Sequence, residues 1–181
     1  MFTHRRNRTR TERGQSIVEF ALVLPLMLFI ALAVVDLARI YTTMLSVESA
    51  AREAADFGTF GSEKWTPGAV DATVANMEKS ACVASSDLPD YQGPDDNCAN
   101  PVFTYCMSPD GGATCVPYSE GLTCDNPTRE PPCRVSVTLA YTFNLIVPLS
   151  IEAFGVRYGF PNSITFERTN TFAMTDLELD P

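Results

Sequence analysis

The sequence predicts an α+β protein in which a long N-terminal membrane-spanning helix continues into a body with an antiparallel β-sheet and a disulfide-rich loop region. Three observations support this prediction. Residues 20–35 form an uncharged apolar run, and a helical apolar stripe follows it. Two segments near the C-terminus are typical of strands, and all six cysteines precede them in a segment rich in turn-forming residues, 82–133.

The first predicted element is a single helix from about residue 15 to about residue 57, with a domain boundary at residue 60. Residues 15–35 would form about 31 Å of helix at 1.5 Å per residue, which is enough to span a bilayer. Pro25 lies inside this span, where a membrane helix tolerates proline with a bend. Gly58 and Gly61 supply stop signals after the last helical turn.

Beyond the span, the same helix is expected to leave the membrane and carry an apolar stripe. Asp36 and Arg39 are spaced to form an ion pair at the exit, and Arg52 is spaced to pair with Glu48 and Asp56. The stripe has members that recur every three or four residues: Leu37, Ile40, Met44, Val47 and Ala51. The C-terminal sheet is its expected cover, and a neighbouring subunit is the alternative.

Charge is distributed unevenly along this chain of net charge −9. Residues 1–14 hold five arginines and one glutamate, whereas the remainder holds eight basic and twenty-one acidic residues. A basic tail before an apolar helix predicts a leader that stays in the cytoplasm and a domain, 61–181, that lies outside the cytoplasmic membrane. An acidic body repels phosphate, so nucleic acid is not expected as a partner.

The body is expected to contain a short second helix and two long strands. Thr66 and Pro67 indicate a helix start, and the apolar spacing that follows predicts a helix over 67–81. Residues 134–145 alternate between apolar and polar, which predicts a half-buried strand, and 163–174 predict a second one. The apolar stretch 146–161 contains one proline near each end and two glycines, and is too short for another span, so it is predicted to be a connection.

An even number of cysteines in an exported region predicts three disulfides, with fifteen pairings open. The six candidates are Cys82, Cys98, Cys106, Cys115, Cys124 and Cys133. A zinc site is disfavoured because the chain has no Cys-x-x-Cys pair and its one histidine, His4, lies in the leader. The acidic residues in 87–97 lack the ligand spacing of a calcium-binding EF-hand and are interpreted as turn residues.

The sequence offers no support for an enzyme. The predicted exported region has no histidine, so a serine or cysteine nucleophile would lack its usual general base. Glycine-rich phosphate loops and redox dithiol motifs are also missing from the sequence. We therefore expect no catalytic residues, no cofactor and no metal.

A motif joins the leader to the span: Gly14 is followed by Gln15, and Glu19 and Phe20 begin the apolar run. It resembles the N-terminus of type IV prepilins and pseudopilins. Three stretches are more specifically similar to TadE-like pilus assembly proteins: 14–25 (GQSIVEFALVLP), 35–41 (VDLARIY) and 50–55 (AAREAA).

This resemblance implies a pilin-like body and a role as a minor pilin or pseudopilin in a Tad/Flp-type pilus. A prepilin peptidase would cut after Gly14, and Gln15 would become the new N-terminus. Glu19 would then pair with the amine of a neighbouring subunit. The implied partners are other pilin or pseudopilin subunits, the peptidase and membrane lipid. The implied location is the cytoplasmic membrane, with a single pass and the N-terminus inside, or a pilus on the cell surface.

The alternative is a membrane-anchored or secreted disulfide-rich module for binding or adhesion. Residues 31–33 form an Ala-x-Ala pattern, which signal peptidase can recognise, although the apolar run continues to Val35. The cysteine-rich segment 82–133 exceeds what a minimal TadE-like protein requires, which leaves a specialised surface role open.

Overall fold

The computed structural model of the chain contains two helices and five strands in its described part. The described residues are 12–59, 65–66, 68–111, 114–118, 132–146, 150–153, 155–159 and 162–174. The elements in chain order are α1 (Glu12–Thr59), α2 (Val70–Ser85), β1 (Val102–Ser108), β2 (Arg134–Asn144), β3 (Ser150–Ala153), β4 (Val156–Gly159) and β5 (Ser163–Ala173). The predicted α+β class, with a long apolar helix and an antiparallel sheet, is confirmed.

Helix α1 runs for 48 residues without a break, and Pro25 lies inside it. The prediction of one continuous helix is confirmed, with a start three residues earlier and an end two residues later than expected. Alanine-rich sequence over 50–55 supports the last turns through high helix propensity. Residues 1–11 of the predicted leader lie outside the described residues.

Three antiparallel strands form the main sheet, in the order β1-β2-β5. The predicted strand 134–145 corresponds to β2, which pairs along its whole length with β5. Strand β1 was not predicted, because it is a short element inside a segment whose composition favours turns. Its sequence does alternate, however: Phe103, Tyr105 and Met107 are partly or fully buried, whereas Val102 and Thr104 are exposed.

The core forms where α1 packs on one face of this sheet. The expected inward face of β2 is confirmed, since its large side chains are completely buried: Val135, Val137, Leu139, Tyr141 and Phe143. Small residues of α1 lie against them, namely Ala50, Ala51, Ala54 and Ala55, together with Val47. Burial of this apolar area at about 25 cal/mol per Å² is the main favourable term for the body.

The predicted stripe on α1 is correct for four of its members and wrong for Leu37. Val47 and Ala51 are buried, and Ile40 and Met44 are half-buried, but Leu37 is 65% exposed. The sheet is contacted by the neighbouring face of the helix, on which Asp36 and Thr43 are buried. Leu37 follows Asp36 by one position, which is about 100° around the helix, so Leu37 is directed away from the sheet that Asp36 faces.

Helix α2 packs against α1 but differs from the predicted range 67–81. It begins at Val70, three residues later, and ends at Ser85, four residues later. The carbonyl of Thr66 accepts hydrogen bonds from the amides of Ala69 and Val70, so Thr66 forms the turn before the helix. Pro67 lies outside the described residues.

The predicted connection 146–161 contains a small β-hairpin that the sequence pattern did not reveal. Strand β3 pairs antiparallel with β4, and Gly155 adopts a φ of 75° at the turn between them. That left-handed conformation favours glycine over residues with a Cβ. A hydrogen bond of 2.9 Å from the Leu145 amide to the Asn162 carbonyl closes the base of the excursion.

Two of the expected disulfides are fully defined. Cys82 on α2 bonds with Cys98, and Cys106 on β1 bonds with Cys115. Cys133 is also disulfide-bonded. Cys124 lies outside the described residues. The two defined bonds attach the loops of the cysteine-rich segment to α2 and to the sheet.

Candidate functional site

The first part of α1 has no cover from the rest of the described chain. Its most apolar 18-residue window is not buried at all, and its apolar side chains are exposed, up to 75% for Leu22. This is the one helix in the described residues that is long and apolar enough to cross a membrane. A contiguous apolar surface of this size marks a membrane or protein interaction site.

The motif residues lie on consecutive turns at the start of this exposed helix. Gly14 and Gln15 are in the first turn of α1, and Glu19 and Phe20 follow on its exposed surface. Residues 15 and 19 are separated by about one helical turn, or about 6 Å along the axis.

Residues 14–56 match the family model described as TadE-like protein. This segment is TadE-like. No curated protein and no solved structure matched the chain. The TadE-like segment starts at Gly14 and ends inside α1, so it covers the exposed span and most of the packed half of the helix. The match to the TadE-like model supports an association of this protein with a Tad pilus. The exposed apolar helix is consistent with a single-pass membrane protein.

The second part of the site is the point where α1 changes from exposed to packed. Asp36, the first charged residue after the apolar run, is only 5% exposed. Its Oδ1 accepts a hydrogen bond from Arg39 Nη1 at 3.2 Å and another from the backbone amide of Ile146 at 3.2 Å. The predicted Asp36–Arg39 pair is therefore confirmed, and the same carboxylate ties the end of β2 to the helix.

Arginines extend this helix-to-sheet contact along α1. The guanidinium carbon of Arg39 lies 4.9 Å from the ring centroid of Phe143, and that of Arg52 lies 6.0 Å from the ring centroid of Phe172. Asn170 Nδ2 donates to the Glu48 carbonyl at 3.0 Å, which links β5 to the same helix. Cations over aromatic faces add about 0.5–1 kcal/mol at exposed sites. Arg52 was predicted to pair with Glu48 and Asp56, and its described contact is with Phe172.

Sequence reasoning missed the contact between Asp36 and Ile146. The two residues are 110 positions apart, and a backbone amide leaves no mark in the sequence. The signal that was available is the position of a carboxylate at the end of an apolar helix, four residues before the half-buried Ile40. A charge on that face needs partners when it becomes buried.

Two acidic residues of the 87–97 turn, Asp90 and Asp96, contact protein groups. Asp90 accepts hydrogen bonds from the backbone amide and the side-chain amide of Asn144, at 2.8 and 3.0 Å. Asp96 forms an ion pair with Lys79 at 2.6 Å, and this hydrogen bond raises the pKa of Lys79. These carboxylates therefore attach the disulfide-bonded turn to β2 and to α2.

Two further side chains complete the attachment of this turn to the sheet. The Asp90 amide donates to the hydroxyl of Tyr141 at 2.9 Å, and burial raises the pKa of that tyrosine. Asn100 donates to the carbonyls of Asp90 and Thr142 and accepts from the Thr142 amide at 2.8 Å. The turn is held by a partly buried polar network whose members hydrogen-bond with one another.

Proposed function

We propose that this chain is a minor pilin- or pseudopilin-like subunit that acts as a structural or assembly component of a Tad/Flp-type pilus. The observation that carries the proposal is the TadE-like match over a helix whose most apolar window has no buried residue while its second half is packed. A soluble protein would have to shield that first half. A bilayer, and then a bundle of identical helices, provide the shield here.

Orientation follows from charge in this proposal. The arginine-rich segment before Gly14 stays in the cytoplasm, and the acidic body lies on the other side of the membrane. The buried Asp36 marks the end of the span on the side of the body. Membrane lipid and other pilin or pseudopilin subunits are the partners. The subunit is not an enzyme and needs no cofactor, metal or nucleic acid.

Cleavage after Gly14 by a prepilin peptidase is the processing step that we propose. It would remove five arginines and leave a positive α-amino group on Gln15, one turn before Glu19. Opposite charges 4 Å apart attract by about 4 kcal/mol at an effective dielectric of 20. Pairing of the amine of one subunit with Glu19 of the next would define the register between neighbouring helices.

The first test is the N-terminal mass of the protein isolated from membranes of its native host. A chain that starts at Gln15 supports prepilin-type processing. An intact leader contradicts the cleavage step. A start at Val34 would support the alternative, a secreted disulfide-rich module for binding or adhesion, because the membrane span would have been removed.

The second test separates charge from side-chain shape at residue 19. Glu19→Gln keeps the shape and removes the charge, whereas Glu19→Asp keeps the charge. We expect Glu19→Gln to abolish incorporation into pilus fractions or assembly of the pilus, and Glu19→Asp to retain a measurable part of it. Disulfide formation and circular dichroism of the body should not change, since Glu19 is 17 residues from Asp36. Normal assembly of Glu19→Gln would contradict the proposed role.

A further inference from the structure

One side of α1 stays apolar and exposed from the span into the part of the helix that carries the body. Its members recur every three or four residues, and each is at least 50% exposed: Val23, Met27, Ile30, Val34, Leu37, Tyr41 and Leu45. We call these seven residues the outer stripe. Because the helix repeats every 3.6 residues, Glu19 lies on the same side, five turns before Leu37. The residues of α1 that face the core, such as Asp36, Val47 and Ala54, lie on the other side.

The far end of the outer stripe extends beyond the reach of lipid. Leu45 follows Asp36 by nine residues, or about 13.5 Å along the helix axis. A bilayer has a polar layer of about 5–7 Å on each side of its hydrocarbon core. If α1 spans the membrane as proposed above, with Asp36 at the boundary, Leu45 therefore lies outside the polar layer. An exposed apolar surface at that level is suited to another protein.

A row of charges that alternate in sign continues the outer stripe toward the end of α1. Glu48, Arg52 and Asp56 are exposed and follow one another at intervals of four residues. Glu48 and Arg52 lie about two and three helical turns beyond Tyr41, so they are on the same side of the helix as the outer stripe. The guanidinium carbon of Arg52 lies 6.0 Å from the ring centroid of Phe172, at the edge of the sheet. This side of α1 therefore presents an apolar region followed by a negative, a positive and a negative group.

The order of these charges determines how a second copy of the chain fits against the first. Two parallel helices at the same level would place Glu48 beside Glu48 and Arg52 beside Arg52, and like charges in contact are unfavourable. A shift of four residues, or about 6 Å along the axis, places Glu48 of one copy beside Arg52 of the next, and Arg52 beside Asp56. The same shift places Tyr41 of one copy beside Leu45 of the next. Charge and apolar contact therefore favour the same shifted arrangement.

The membrane end of the helix favours this shift as well. In the processed chain proposed above, the α-amino group at residue 15 precedes Glu19 by four residues. A shift of four residues in the same direction therefore brings the amine of one copy level with the carboxylate of the next. The two charged regions are about 50 Å apart, since 33 residues separate residue 15 from Glu48. A second copy has both spacings and the distance between them by identity, and two copies in one membrane share their orientation.

We infer that the outer stripe, together with Glu48, Arg52 and Asp56, is the contact face for a second copy of this chain, in a parallel arrangement shifted by four residues. The apolar residues supply the contact area, and the charges select the shift. Because the shift has a direction, the contact is heterologous and repeats from one copy to the next without closing. The inference rests on the proposed function and extends it by naming the contact face and the register outside the membrane.

The test is disulfide cross-linking between two differently tagged copies of the full chain, expressed together and oxidised in isolated membranes. One copy carries Tyr41→Cys and the other Leu45→Cys, which the shifted arrangement brings together. The matched controls carry Tyr41→Cys in both copies or Leu45→Cys in both copies, which an unshifted arrangement brings together. Val83→Cys in both copies, at an exposed position on α2, measures random collision, and the unmodified chain measures the background from the native cysteines.

We expect the mixed pair to give at least about threefold more two-tag dimer than either matched control, because a disulfide requires Cα atoms about 4.4–6.8 Å apart and an axial offset of about 6 Å prevents it. Arg52→Glu in both copies makes the charged row uniformly acidic and should lower the yield of the mixed pair by about fivefold. Arg52→Lys should retain the yield. Arg134→Glu, the same change of charge at an exposed position on β2, should leave it unchanged.

Two results would overturn the inference and leave the proposed function standing. Equal or higher yields from the matched controls would show that the copies pair without the shift. Yields no higher than that of Val83→Cys, from protein that is present in the membrane fraction, would show that lipid or a different protein covers the outer stripe. Absence of the unmodified chain from the membrane fraction would instead refute the proposed membrane insertion, and the contact face would be refuted with it.

Discussion

Replacement of Asp36 is the most direct test of how the body is attached to the helix. The carboxylate is 5% exposed and accepts two hydrogen bonds of 3.2 Å, one from Arg39 and one from the amide of Ile146. Hydrogen bonds to charged groups contribute about 1.5–3 kcal/mol each, but at this length and with the desolvation of a buried carboxylate the net value is lower. We expect Asp36→Ala to lower the free energy of unfolding by about 2 kcal/mol.

Asp36→Asn is the informative comparison. The amide keeps an oxygen that can accept from Ile146 and loses the charge that attracts Arg39, so we expect about half of the effect, roughly 1 kcal/mol. For a chain of this size, each 1 kcal/mol shifts the midpoint of thermal unfolding by about 2–4 °C. Asp36→Ala should therefore lower Tm by about 4–8 °C and Asp36→Asn by about 2–4 °C.

The assay is thermal unfolding of the full chain in detergent micelles, followed by the fluorescence of Trp65. This side chain is buried and donates to the Gly58 carbonyl at 2.7 Å, so it reports on the packing of the body. Glu53→Ala is the control, because Glu53 is an exposed acid on the same helix. If Asp36→Ala and Glu53→Ala shift Tm equally, the buried carboxylate does not attach the sheet to the helix.

Three other perturbations test the body. Burial raises the pKa of Tyr141 above its usual 10.0, so the folded state keeps this proton to higher pH than the unfolded chain does. The free energy of unfolding should therefore fall as pH rises above about 10. Tyr141→Phe should reduce that fall, measured by urea titrations at a series of pH values. Removal of the Cys82–Cys98 disulfide by alanine at both positions should cost about 2–4 kcal/mol, measured by urea unfolding. Gly58→Ala would place a Cβ 2.8 Å from Met77 Sδ, so we expect a loss of about 1–3 kcal/mol that a second change, Met77→Ala, partly relieves in a double-mutant cycle. The first expectation is contradicted if Tyr141→Phe leaves the loss of stability at alkaline pH unchanged. The second is contradicted if removal of the disulfide leaves the urea midpoint unchanged, and the third if the losses of the Gly58 and Met77 variants are strictly additive.

Local periodicity was sufficient to predict the elements with long, regular patterns. The apolar run and the alanine-rich turns predict α1, and the strict alternation over 134–145 predicts β2 to within one residue. The inward face of β2 was also predictable, because every second residue is large and apolar. In each case the pattern is long enough for burial to determine it.

Elements that depend on distant partners were not predictable in the same way. Strand β1 has only seven residues, and it is held by β2 on one side and by the Cys106–Cys115 disulfide. The hairpin strands β3 and β4 have four residues each, below the length at which alternation is distinctive. The start of α2 shifted because Ala69 occupies its N-cap, without a side-chain cap, while Thr66 serves a preceding turn.

The residues of the candidate site also differ in whether the sequence predicts them. The motif from Gly14 to Phe20 is visible in sequence because its residues are adjacent and its chemistry is unusual for an apolar helix. The hydrogen bond that Asp36 accepts from the backbone amide of Ile146 joins residues that only the fold brings together. The sequence therefore predicts the helix residues that are available to other molecules, whereas the structure shows how the body is attached to the helix.

The spacing between these two acids bears on what Glu19 does. Seventeen residues of helix separate Glu19 from Asp36, or about 26 Å along the axis at 1.5 Å per residue. The hydrocarbon core of a bilayer is about 30 Å thick, so in the proposed membrane-spanning arrangement, with Asp36 at one boundary, Glu19 would lie a few ångströms inside the other. A carboxylate at that depth costs less than the 2.5–3.5 kcal/mol measured near the bilayer centre. Insertion of a single subunit should therefore tolerate Glu19, and Glu19→Gln should change assembly much more than membrane insertion. Equal loss of membrane-bound and assembled protein in that variant would place the role of Glu19 in insertion instead.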